Sequence, residues 1–198
     1  MGRNRAYVAA PLLACLAGLV GLAGTLPTAR AWELKAYDGR YQIDFPCFPK
    51  ETLDHVHTPA GMMTVRTLSL TREDGVLAVQ YYELPAKLVD DLGTDRLLDK
   101  ARDGVISRVN GRLVTEVVTP LEGYPGRAFL AVLPNQQTYL AGRVYQANQR
   151  AYLVLATGSR ETLAQPAFRK FLNSFALLDR ATPPDAEPQG EPFEFPEE

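Results

Sequence analysis

His55 and His57 are the only histidines of the 198-residue chain. Two positions apart on a strand, they point to the same face. Imidazoles at that spacing can share a zinc or copper ion, with Glu51 and Asp54 close by in sequence. His55 and His57 are therefore the candidate metal ligands. No third ligand is evident, and a polar strand face is the simpler account of the pair. Cys47, between Pro46 and Phe48, could act as a nucleophile with one of these histidines as base. A thiolate needs an adjacent base or a helix N-terminus to activate it, and no signature of either flanks Cys47. An ordinary turn thiol is expected. Asp90, Asp91 and Asp95 have the charge of a calcium cluster but lack the spaced Asp-x-Asp-x-Asp-Gly pattern. A solvated loop running into a helix explains them. A Gly-x-Ser-x-Gly elbow and a phosphate-cradling glycine loop are both missing. The reading is of no catalytic residue and no cofactor.

The first 31 residues read as an export signal. Arg3 and Arg5 precede an apolar run from Ala6 to Leu26, and Ala29-Arg30-Ala31 offers a small-x-small cleavage pattern. Trp32 would then begin the mature chain. Two alternatives keep the protein on a membrane: an uncleaved signal, or lipidation at Cys15 within Leu12-Leu13-Ala14-Cys15. Cleavage would remove three of 21 basic residues and none of 23 acids, leaving a net charge of −5. Much of that charge is in the last 20 residues, which carry seven acids and one Arg. The segment 179–198, with Pro183, Pro184, Pro188, Pro192 and Pro196, reads as a disordered acidic tail whose only apolar side chains are Phe193 and Phe195. The body, 32–178, is nearly neutral. That balance excludes a nucleic-acid partner, which selects a basic face. The body is also long enough for one domain with its own core.

The elements that would position these residues follow from periodicity. Trp32–Tyr37 reads as a lead-in, and Arg40–Phe45 alternates as a half-buried strand ended by Pro46. Glu51–Thr58 and Met63–Thr71 form a hairpin, and Val76–Glu83 is a further strand after the Glu73-Asp-Gly75 turn. Leu84–Leu92 reads as a loop. Asp95–Val109 is a helix with Leu98, Ala101, Val105 and Val109 on one stripe, Thr94 as its cap and Gly111 as its left-handed stop. Four strands follow: Arg112–Leu121, Arg127–Leu133, Thr138–Gln146 and Arg150–Thr157. Arg127–Leu133 is apolar on both faces, as a central, doubly covered strand would be. Gly123-Tyr-Pro-Gly-Arg127 reads as a type II turn with Pro125 and Gly126 at its centre rather than as a binding loop. Pro166–Phe175 is a second helix, opening on a proline. Thr162-x-x-Gln165 offers a competing capping box.

Tyr41-x-x-Asp-Phe-Pro46, Gly123-Tyr-Pro-Gly-Arg127-x-Phe129 and Arg169-Lys-Phe-Leu-x-Ser-Phe175, in this order around a central helix, resemble exported bacterial domains with the PsbP-like fold, the family that includes the Mog-type proteins. The resemblance covers about Arg40–Leu177. It implies an α+β domain: an antiparallel sheet of about six to eight strands with helices on both faces, a PsbP-like α/β/α sandwich. The shared residues are structural, so none is carried over as functional. The expected function is a non-catalytic, exported accessory module for an unidentified protein or envelope component. The alternatives are a periplasmic metal binder using His55 and His57, or a hydrolase whose site does not show in the sequence. A functional surface is expected on the Glu51–Thr71 hairpin and the segment Leu84–Gly93, away from the hydrophobic centre.

Overall fold

The computed structural model describes residues 32–58 and 61–178. The leader and the acidic tail lie outside them. Ten strands and four helices follow in chain order: β1 Trp32–Ala36, β2 Tyr41–Phe45, β3 Lys50–Thr58, β4 Gly61–Thr71, β5 Gly75–Glu83, α1 Ala86–Leu92, α2 Thr94–Arg108, β6 Arg112–Val118, β7 Gly126–Val132, β8 Tyr139–Ala147, β9 Arg150–Gly158, α3 Arg160–Ala164, α4 Pro166–Asn173 and β10 Ala176–Leu177. They build a seven-stranded antiparallel sheet in the order β3-β4-β5-β9-β8-β7-β6 and a second sheet in the order β1-β2-β10.

The main sheet is in the range expected. The second sheet is not foreseen in the sequence: Trp32–Ala36 is a strand rather than a lead-in, because its exposed, weakly apolar residues pair along the whole of β2. The most buried strand is β9, the fourth of the seven, in which six consecutive residues from Ala151 to Ala156 are buried. The expectation of a central position for Arg127–Leu133 is corrected: β7 is next to the sheet edge and only partly buried. Short apolar alternation cannot tell these positions apart, because β7 and β9 have similar side chains.

Alternate residues of β9 enter different cores. Tyr152, Val154 and Ala156 pack with Leu77 and Val79 of β5, Tyr41, Ile43 and Phe45 of β2, and Phe168, Phe171 and Phe175. Leu153 and Leu155 pack with Phe129, Leu140 and Val144, and with Leu98 and Ile106 of α2. The first core is rich in aromatic contacts. Phe175 stacks on Tyr145 with centroids 5.7 Å apart and on Tyr41 at 5.5 Å, and Phe45 meets Phe171 at 4.9 Å. In the second, α2 is held to β6 and β7 by charge. Arg127 donates to Asp99 at 2.7 Å, Glu116 at 2.7 Å and Asp95 at 3.1 Å, while Arg102 reaches Glu116, Asp99 and Asp103.

Several local expectations change. Leu84–Leu92 is not a loop: Ala86–Leu92 forms α1, a helix of seven residues, too short for its period to show. Thr94 is the first residue of α2, with Gly93 at the cap and no side-chain cap bond. At the other end Asn110, not Gly111, takes the left-handed conformation, with φ 50°. The tight turn before β7 is three residues earlier than expected. Glu122 and Gly123 have φ 50° and 83°, and Leu121 and Tyr124 exchange backbone hydrogen bonds of 3.0 and 2.8 Å. Positive φ at both central positions is a type I′ turn, which matches hairpin twist better than type II. Gly126 serves close approach instead: an added Cβ would lie 2.3 Å from the Tyr145 ring and 2.6 Å from the Thr119 carbonyl oxygen. Of the competing helix starts the later one is used, and Thr162 lies inside α3 rather than at its cap. Ser159 caps α3 by accepting from the Thr162 amide at 3.1 Å, and Pro166 opens α4.

The main sheet has open edges at β3 and β6. Along β6, Leu113, Val114, Val117 and Val118 are exposed, and the register with β7 slips between Leu113 and Thr115.

Candidate functional site

The residues singled out for chemistry do not assemble. His55 is exposed on β3, with Nδ1 3.2 Å from the Thr64 hydroxyl across the hairpin. His57 is two residues further along β3, with Met62 as its register partner. Among the described residues, no group of three or more His, Cys, Asp and Glu is placed to hold a metal ion. Cys47 is an exposed, free thiol. Asp90 and Asp91 belong to α1, and Asp95 is committed to Arg127. Arg127 is no binding-loop residue, because its guanidinium is engaged by three carboxylates. Tyr124 packs against the aromatic core.

What the structure does bring together is the pair of segments expected to carry function. The β3–β4 hairpin and α1 stand on opposite sides of an apolar groove of about 490 Å³, floored by β5 and β9 and closed along one side by α2. The hairpin contributes Val56, Met63 and Val65; the stretch from Leu84 through α1 contributes Leu84, Leu88 and Leu92; the floor is Gln80, Tyr82 and Leu153. Leu88 and Leu92 are about one helical turn apart on α1, which aims both the same way, and Leu84 joins them from just before the helix. No residue of α1 is buried, so its apolar side has no complete cover.

From α2 the groove receives Leu97, Ala101 and Val105 on one line, and Lys100, Gly104 and Arg108 on the next. The second line is chemically unusual. Gly104 lies in the helix interior, where glycine costs about 1 kcal/mol relative to alanine. Close packing does not require it: a Cβ there would meet nothing within 4 Å. Lys100 and Arg108 are exposed and have no ion-pair partner among the described residues. Arg66, Arg72, Arg102, Arg127 and Arg150 are paired, while Lys50, Lys87, Arg96 and Arg112, outside the groove, are exposed without an ion pair as these two are. Tyr82 stands between walls and floor; burial pushes its phenol up, and the Arg108 charge pulls the other way. The result is an apolar slot with two free cations along one rim.

A second cavity, about 570 Å³, is polar. It lies between Arg40, Glu83, Glu122, the Asn148-Gln149 turn and Leu178. Arg150 crosses it, donating to Glu83 and to the Asp38 carbonyl at 2.9 Å, with its guanidinium 5.2 Å from the Tyr81 ring centroid. Tyr152 donates to the Gly39 carbonyl at 2.8 Å, and burial raises its phenol. These bonds tie the end of β9 to the loop between β1 and β2.

The groove escapes a reading of sequence because its walls come from positions 56–65, 80–108 and 153. Leu88 and Leu92, the leucines that α1 gives the groove, are too few to show a helical period, and Pro85 and the Asp90-Asp91 pair read as loop.

No protein-family model and no curated protein matches the sequence. Among solved structures the fold is similar to the solution structure of cyanobacterial PsbP (CyanoP) from Synechocystis sp. PCC 6803. The TM-score is 0.54 at 14% identity, over 81% of this chain and 99% of that chain. The chain thus has a PsbP-like fold, and among its described residues no helix is long and apolar enough to cross a membrane.

Proposed function

We propose that this chain is a non-catalytic accessory module of the exported PsbP-like and Mog-type kind, its sheet sandwiched by helices, and that it binds a protein or envelope component through the groove between the β3–β4 hairpin, α1 and α2. The observation that carries this reading is the groove itself: apolar walls, a helix glycine kept open to it, and two unpaired cations on its rim. A PsbP-like neighbour is consistent with an accessory role. Export rests on the leader pattern ahead of Trp32, and the mass of the mature N-terminus distinguishes cleavage before Trp32 from lipidation at Cys15 or retention of the whole leader.

The test is to fill the groove. A photo-crosslinking residue at Leu88, on α1, should capture a component of the protein's own cell envelope, and Gly104→Phe should abolish that capture. The same crosslinker at Val118, on the far edge of the sheet, should not capture it. Equal capture from both positions, or capture that survives Gly104→Phe, would reject the groove as the contact surface.

The metal-binding alternative rests on the two-residue spacing of His55 and His57 in β3. Calorimetry with zinc and copper on the wild type and a His55→Ala/His57→Ala variant decides it: identical traces dismiss the site.

A further inference from the structure

Phe193-Glu194-Phe195, near the C-terminus of the same chain, has the composition that the groove lacks. Two aromatic side chains at a spacing of two fall on one side of an extended segment, with Glu194 on the other and Glu191, Glu197 and Glu198 flanking them. The groove offers apolar walls to the rings and unpaired Lys100 and Arg108 to the carboxylates. The tether fits as well. Leu178, the last described residue, shares the polar cavity with Glu83, and Leu84 next to it lines the groove. Fourteen residues separate Leu178 from Phe193. Fully extended they span about 46–50 Å, and Pro183, Pro184, Pro188 and Pro192 among them favour an extended reach of about 43 Å. From Leu97 to Arg108 the groove wall rises only about 17 Å.

We propose that the acidic, phenylalanine-bearing segment 191–197 occupies the groove in cis, with Phe193 and Phe195 between α1, α2 and the β3–β4 hairpin and the glutamates at Lys100 and Arg108. This rests on the groove being a binding surface and adds a regulation to it: the tail is a tethered competitor that an incoming partner must displace. A short tether holds its end at millimolar effective concentration, so a weak contact suffices to keep the groove closed most of the time. If the groove is free about one tenth of the time, a competing ligand binds about tenfold more weakly than to an open groove.

The experiment compares wild type with Phe193→Ser/Phe195→Ser, both carrying the whole C-terminal segment. Amide NMR signals of Leu88, Leu92, Gly104 and Val105 should move, and the affinity for the anionic probe 1-anilinonaphthalene-8-sulfonate should rise about tenfold. Gly104→Phe in the otherwise unchanged chain should shift the signals of residues 193–195 toward those of a free tail. Groove signals indifferent to the two serines would overturn the proposal. So would changes that scale with protein concentration, which would mean a tail from a second copy. Groove signals that ignore the serines yet respond to sodium laurate would overturn it in favour of a free amphiphile. None of these readouts needs the envelope partner, so failure here leaves the crosslinking test standing, and failure there leaves this one.

Discussion

Helices α4 and α2 contrast in how they meet the main sheet. α4 seals its contact. Phe168 and Phe171 are fully buried, and Phe175 just beyond them stacks in an aromatic array with Tyr41, Tyr145 and Tyr152. α2 seals only half of its contact. Leu98 and Ile106 are buried against β7, β8 and β9, while the stripe from Leu97 to Arg108 looks into the groove. The shorter α1, which leans on α2, buries nothing completely. One end of the molecule is therefore built for stability, and the other keeps apolar surface available. That division is how a small domain can hold a binding surface without a chemical site: interior packing supplies the free energy that the open wall gives up.

The contrast can be broken most sharply at its closed end. Phe171→Ala should destabilise the fold by about 3–5 kcal/mol, whereas Leu88→Ala in α1 should cost less, about 1–2 kcal/mol, because Leu88 is only partly buried against Leu84 and Leu97. Urea denaturation of the two variants checks this, and similar midpoints would show that the groove wall is as structural as the aromatic core.

A single type of substitution should change sign between the two regions. At Gly142 an added Cβ would lie 2.2 Å from the Phe129 ring, so Gly142→Ala should cost about 1–3 kcal/mol. At Gly104 the space is open, and Gly104→Ala should stabilise by about 0.5–1 kcal/mol. Thermal melts of both variants measure the pair. Destabilisation by Gly104→Ala that disappears in the Phe193→Ser/Phe195→Ser background would mean that the C-terminal segment fills the groove at that point.

The smallest expected effect is alkaline. Burial is the largest cause raising the phenols of Tyr41, Tyr82 and Tyr152 above the ordinary value of 10.0. A folded pKa above the unfolded one gives stability that is complete below pH about 10 and is lost as pH rises toward the folded value. The fold should thus weaken progressively above pH about 10, with buried phenolates appearing together with unfolding. Tyr41→Phe should move the alkaline midpoint up more than Tyr82→Phe, because the Tyr41 shift is the larger. Phenolate absorbance followed alongside circular dichroism tests the order.

The parts of the fold legible in the sequence were those with long, regular patterns. The stripe of Leu98, Ala101, Val105 and Val109 marks α2, and the runs that form β8 and β9 mark the hydrophobic centre. What stayed hidden was set by partners. Trp32–Ala36 becomes a strand because β2 offers it an edge. Ala86–Leu92 becomes a helix in a stretch too short to show its period. The turn was misplaced because Pro125 and Gly126 are the usual turn residues, yet Glu122 and Gly123 take the positive φ while Gly126 makes room for Tyr145. As for the candidate site, the two segments that face each other could be named from the chain, but nothing in their order says that Lys100 and Arg108 would be left without partners.

The slip in register on β6 bears on how the molecule behaves in company. An open strand with Val114, Val117 and Val118 on its surface invites another strand to add alongside it. The extra residue at Val114 kinks that ribbon and leaves only Thr115–Val118 in unbroken register, too short a run to seed a stack. Crowded against its own copies, the domain thus presents a frayed hem instead of a template.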